Sequence, residues 1–135
     1  MDKAARYLGI MRKANALAIG ETDSGAAVKG GRAFVLCLAL DASDNARKRA
    51  ETFVWSRETP LICLPYEKAA LQQALGKGGG CSMFGITDLG LASAFVGALA
   101  NWDPEQYGPV HEALSSRVSS VKGRSDSVKT GKRRK

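Results

Sequence analysis

Residues 8–43 of the chain read LGIMRKANALAIGETDSGAAVKGGRAFVLCLALDAS, and the order of patterns within them decides the fold. Apolar residues at Ala4, Tyr7, Leu8, Met11 and Ala14 recur every three or four positions. That spacing predicts an amphipathic helix over 4–14, with Lys3, Arg6, Arg12 and Lys13 in water. Leu17 to Ile19 reads as a short strand stopped by Gly20. Thr22 or Asp23 then caps a second helix to about Lys29, and Gly30 and Gly31 close it, as C-terminal glycines do. The run AFVLCLAL, Ala33 to Leu40, is apolar at every position. A strand with one wet face would alternate, so this one belongs at the centre of a sheet covered by helices on both sides.

Working outward, Ser43 stands as N-cap of a helix from Asp44 to about Arg57, with Asp44 near the positive end of its dipole. Pro60 opens the strand PLICL, a place where proline is tolerated. The helix EKAALQQAL follows and ends at Gly76. After the glycine-rich loop come the strand CSMFGIT and, capped by Thr87 or Asp88, the helix DLGLASAFVGALAN. Roughly four strands and five helices therefore alternate by Asn101, the signature of a layered α/β domain. We expect residues 1–101 to form this domain, and 102–116, with two prolines, to pack on it as short helical turns. Residues 117–135 are too polar to offset the entropy of ordering and are expected to be a disordered basic tail.

The charge supports that division. Between Arg117 and Lys135 eight basic residues face only Asp126, an excess of +7 that equals the net charge of the whole chain. The remainder is neutral, so the attraction for polyanions is concentrated in the tail and above all in Lys132, Arg133, Arg134 and Lys135.

Several classes of function are disfavoured. No apolar run approaches the ~20 residues of a membrane span, and the opening MDKAARYLGIMRKAN has no signal-peptide core, so a cytoplasmic protein with no membrane partner is expected. Cys37, Cys63 and Cys81, spaced 26 and 18 residues apart, match no metal-ligand pattern and read as reduced core thiols. A phosphate-binding loop of the nucleotidase type needs a glycine five residues before Gly76-Lys77 and a hydroxyl residue after it; Leu71 and Gly78 stand there. Asp41 and Asp88 follow strands, where α/β enzymes place their chemistry, but capping explains both. The single histidine, His111, has no Ser, Cys or Asp partner assignable from sequence. We expect no catalysis, cofactor or metal.

Four blocks carry a resemblance: LGIMRKANALAIGE, GRAFVLCLALDAS, PLICLPYEKAALQQALGK and GITDLGLASAF, in this order over about Lys3 to Ala100. With them the chain resembles the bacterial YlxQ-like branch of the L-seven-Ae superfamily of kink-turn-binding ribosomal proteins. The resemblance implies a three-layer α/β/α sandwich with a small mixed sheet of about four strands. It also implies a noncatalytic protein with structured RNA, kink-turn-like or ribosomal, as ligand.

The RNA-reading pattern of that superfamily places Asn, Glu and Lys after a glycine at the start of the second helix. Matched without a gap, it keeps Gly20 and falls on Thr22, Asp23 and Ala26. Asp23 retains an acceptor on a shorter arm and Thr22 a hydroxyl, while Ala26 retains nothing; Lys29 and Arg32 are close enough in sequence to supply the missing charge. The second contact implied by the resemblance is the loop Lys77, Gly78, Gly79, Gly80, Cys81, whose glycines let backbone approach an RNA strand. The expected RNA surface is thus Gly20, Glu21, Thr22, Asp23, Lys29, Arg32, Asp41 and Lys77 to Cys81, with Lys132 to Lys135 adding nonspecific phosphate contacts to a monomer. Thr22 and Ala26 also motivate an alternative, a module docked on proteins of the ribosome or of RNA modification that has lost kink-turn recognition.

Overall fold

The computed structural model describes residues 2–76 and 81–129. Among them, four strands form one mixed sheet: β1 (Leu17–Ile19), β2 (Val35–Leu38), β3 (Leu61–Cys63) and β4 (Met83–Ile86), in the spatial order β1-β4-β2-β3. β2 and β3 run parallel with Leu38 opposite Cys63, and β4 is antiparallel to both its neighbours, pairing Met83 with Leu38 and Phe84 with Ile19. Six helices surround the sheet: α1 (Asp2–Lys13), α2 (Glu21–Lys29), α3 (Asp44–Val54), α4 (Lys68–Leu75), α5 (Leu89–Trp102) and α6 (Pro104–Lys129).

The apolar strand divides two cores, because successive side chains of a strand point to opposite faces. Val35 and Cys37 join Leu8, Met11, Leu71, Phe95, Leu99, Tyr107 and Leu114, so α1, α4, α5 and α6 cover one face. Leu36 and Leu38 join Ala27, Val28, Ala46 and Ala50, so α2 and α3 cover the other. All four residues of β2 are buried, as a strand clad on both sides requires. The molecule is an α/β protein with the architecture of a three-layer sandwich. Cys37 and Cys81 are buried in it, and burial, reinforced by Cys81, pushes the Cys37 thiol well above its ordinary range.

Some ends differ from the sequence reading. α2 begins two or three residues earlier than a Thr22 or Asp23 cap requires: Gly20 is its N-cap, and both residues lie inside the first turn. α3 stops at Val54 rather than near Arg57, where Val54 carbonyl accepts the Arg57 amide at 2.9 Å and the chain turns. Ser43 caps α3 through its hydroxyl, 3.1 Å from the Ala46 amide, and Asp88 rather than Thr87 caps α5, 2.9 Å from the Leu91 amide.

The largest departure lies beyond Asn101. In place of short turns over 102–116, a single helix extends from Pro104 to Lys129. Pro104 sits at its first position, where no amide is needed, and Pro109 forfeits only one early bond. Tyr107 and Leu114 are buried against the body, two turns apart on one face, and the Tyr107 hydroxyl donates to the Cys63 carbonyl at 2.6 Å. Arg117, assigned to the tail by composition, instead lies over the Phe34 ring at 5.0 Å from its centroid.

Candidate nucleic-acid interface

The sheet register brings the ends of β1, β2 and β3 and the start of β4 to one edge of the molecule. The loops there are tied to one another by backbone bonds. The Gly20 amide donates to Met83 carbonyl at 3.0 Å, Ala39 to Ser82 at 2.8 Å, and Leu40 to Tyr66 at 2.8 Å. α2, α3 and α4 therefore all start at this edge, with the positive ends of their dipoles gathered together.

Of these helices, α2 alone lacks a capping side chain. Ser43 serves α3, and the Asp41 carboxylate accepts the Lys68 amide at 2.7 Å and so serves α4. At the start of α2 stands Gly20, with φ 95° and ψ 167° and no side chain to offer. Only glycine adopts that conformation without strain. The first-turn amides of α2 thus have no side-chain acceptor from their cap, the arrangement in which a helix start receives an anion or an acceptor from a ligand. Thr22 and Asp23 are exposed on this turn, and Leu40, 53% exposed, stands at the same edge. Buried Ser24 fixes the helix in place by donating to the Ala18 carbonyl at 3.0 Å.

α2 and α3 lie side by side with their starts together. Glu21 pairs with Arg49 (Oε1 to Nε, 3.1 Å), Gly25 faces Phe53, and the Lys29 carbonyl accepts from Arg57 at 3.3 Å, each pair 28 residues apart. Between them runs an open groove of about 340 Å³ lined by Glu21, Thr22, Gly25, Ala26, Lys29, Arg49 and Phe53. Lys48, Arg49 and Asn45 continue the polar lining along the outer side of α3.

The expected RNA residues are thus only partly together. Gly20, Glu21, Thr22, Asp23 and Asp41 share the strand-end edge. Lys29 and Arg32 do not: eight residues along α2 from Glu21, Lys29 is roughly 12 Å away and Arg32 lies beyond it, although Lys29 is one turn from Ala26 and lines the same groove. Arg49 stands nearer that edge, paired with Glu21. It was missed because its link to Glu21 exists only once α2 and α3 are packed; the run Arg47, Lys48, Arg49 in a helix following the central strand was the available signal. Cys81 is buried, with its thiol on the Met83 carbonyl at 3.5 Å, which corrects its assignment as an RNA contact. Asp41 spends one carboxylate oxygen on α4. Lys77 to Gly80 and Lys132 to Lys135 lie outside the described residues.

His111 does have hydroxyl neighbours. Its Nε2 is 3.1 Å from Ser115 Oγ, which is 3.2 Å from Ser93 Oγ, a polar seam joining α6 to α5 that the four-residue spacing of His111 and Ser115 allows. Among the described residues no group of three or more His, Cys, Asp and Glu side chains is placed to hold a metal, and no helix is long and apolar enough to cross a membrane.

No family model and no curated protein sequence matches the chain. Solved structures do. A protein of unknown function from Bacillus halodurans C is similar with a TM-score of 0.61 and 26% identity, over 69% of this chain and 96% of that one. The Giardia lamblia 15.5kD RNA binding protein shares the fold with a TM-score of 0.60 and 18% identity, over 83% of this chain and 87% of that one. The fold is thus one that an RNA-binding protein uses.

Proposed function

We propose that this chain is a noncatalytic RNA-binding protein that holds structured RNA at the strand-end edge where α2, α3 and α4 begin. The observation that carries the reading is the start of α2: a helix end with no capping side chain, fixed by Gly20 and buried Ser24, with the Arg49 guanidinium beside it. First-turn amides and Arg49 offer donors to phosphate and base-edge acceptors, while Thr22, Asp23 and Glu21 offer hydroxyl and carboxylate acceptors to base amino groups. The likeness to the Giardia RNA binding protein supports the same ligand class. The sequence blocks support a kink-turn or ribosomal RNA, with residues 130–135 adding phosphate contacts that carry no sequence information.

A second reading, docking of a protein partner in the α2–α3 groove, is favoured by half-buried Phe53 and by Ala26 where charge is expected. Gel shifts separate the two. The full chain and a chain lacking residues 130–135 are each titrated with a kink-turn RNA and with a matched duplex. The RNA-binding reading requires that both chains prefer the kink-turn RNA. Equal affinity for both RNAs, lost when residues 130–135 are removed, overturns it and leaves the protein-docking reading.

A further inference from the structure

The end of the molecule opposite the strand-end edge carries an unexplained aromatic side chain. Trp55 is 78% exposed, far more than any other large apolar residue among those described. It follows the last residue of α3 in a tight turn closed by the Val54 carbonyl and the Arg57 amide at 2.9 Å. Trp55 has φ −56° and ψ 128°, and Ser56 has φ 62°, so the turn is of type II, whose third position is normally glycine or asparagine. A serine is held there in the left-handed region, and the result is an indole presented to solvent.

Three cations converge on the neighbouring end of α2. The Arg57 guanidinium reaches back to the Lys29 carbonyl at 3.3 Å, and the Arg32 guanidinium folds over Gly30, where a Cβ would come within 2.5 Å of it. Lys29 lies in the same turn and is exposed. Glu51 and Glu58 are the acids nearest in sequence to Trp55, and among the described residues neither is ion-paired with any of the three. A guanidinium carries five N–H donors, so the single bond of Arg57 to the Lys29 carbonyl leaves most of its donors available. The α2–α3 groove is continuous from Glu21 and Thr22 to Lys29, so it links the proposed RNA edge to this end.

We infer that Trp55, with Lys29, Arg32 and Arg57, is a contact for single-stranded RNA, stacking one unpaired base on the indole and holding the adjoining phosphates. The inference rests on the RNA-binding reading. It adds to it the path of a flanking strand, which leaves the structured RNA at the start of α2, follows the groove past Arg49 and Phe53 along a helix about 13.5 Å long, and reaches Trp55 at its far end. Single-stranded rather than duplex RNA is the fitting class, because only an unpaired base exposes a face to an aromatic ring. The cations read phosphate and no sequence, so little base preference is expected.

The chain has two tryptophans, so Trp102→Phe makes Trp55 the sole reporter. Titrated with single-stranded oligouridylate, this variant should lose Trp55 emission and shield the indole from acrylamide. Trp55→Ala should weaken oligouridylate binding roughly tenfold, the order of one stacked base, while Trp55→Phe largely retains it. Thermal melting of both variants checks that they fold. Asp23→Ala, in the first turn of α2 and outside the groove lining, should weaken kink-turn binding and leave quenching by oligouridylate in place, so failure at the strand-end edge and failure at Trp55 read out separately. Unchanged emission at saturating oligouridylate overturns the inference. So does shielding of Trp55 that rises with protein concentration alone and accompanies dimers in sedimentation, which would assign the surface to a second copy of the chain.

Discussion

Gly25 on α2 packs directly against Phe53 on α3: a Cβ at position 25 would lie 2.8 Å from the edge of the ring. This contact sits midway between the Glu21–Arg49 ion pair and the bond from Arg57 to Lys29, and it sets how closely the two helices approach. The groove that leads away from the proposed RNA edge therefore depends on the absence of one side chain.

Gly25→Ala gains up to about 1 kcal/mol of helix propensity and meets an overpacking cost of about 1–3 kcal/mol. We expect net destabilisation of about 1 kcal/mol by chemical denaturation, recovered when Phe53→Leu is added. Stabilisation by Gly25→Ala alone would mean that the ring yields freely and does not set the spacing.

Asp41 tests whether a strand-end carboxylate reads RNA or holds the scaffold. Its Oδ1 accepts the Lys68 amide 2.7 Å away, across 27 residues of sequence. Asp41→Ala should lower stability by about 1 kcal/mol, the cost of a lost helix cap, with RNA affinity changed by less than threefold in gel shifts. A large loss of affinity at unchanged stability would place Asp41 on the RNA instead.

Tyr107 gives the fold an alkaline limit. Burial, with smaller contributions from Cys63, Asp103, Cys37 and Tyr66, pushes its hydroxyl up to about 12. In the unfolded chain a tyrosine ionises near 10, so above that pH the unfolded state releases a proton that the folded state keeps. The contribution is complete below pH 10 and is lost as pH rises towards 12. Denaturant midpoints of the parent chain should fall across that window, while Tyr107→Phe starts about 1 kcal/mol lower and falls less steeply.

The tail is tested by salt. Each single-strand phosphate neutralised contributes about −0.7 to the slope of log K against log salt, so loss of Lys132, Arg133, Arg134 and Lys135 should flatten the slope by up to about 2.8. The preference for kink-turn RNA over duplex should be unaffected. A lost preference would give the tail a part in recognition.

Much of the fold was legible because it rests on local signals. VLCL at the centre of AFVLCLAL is the strand clad on both faces that the apolar run announces, Ser43 declared its helix, and Gly76 ends α4 in the left-handed conformation at φ 67°. α6 was not legible. The two prolines of 102–116 read as breaks between short helical turns, and the burial of Tyr107 and Leu114 that sustains the helix depends on contacts with the sheet and α5, remote in sequence. The site was half legible for the same reason. Gly20 announces itself locally, whereas the reach of Arg49 to Glu21, the diversion of Asp41 to α4 and the burial of Cys81 all arise from tertiary packing.

The most direct measurement is the change in backbone amide NMR shifts of the full chain on adding one equivalent of kink-turn RNA. The account predicts the largest changes at Gly20 to Asp23, Leu40 and Arg49, at the strand-end edge. Changes confined to residues 130–135, with that edge silent, would contradict it.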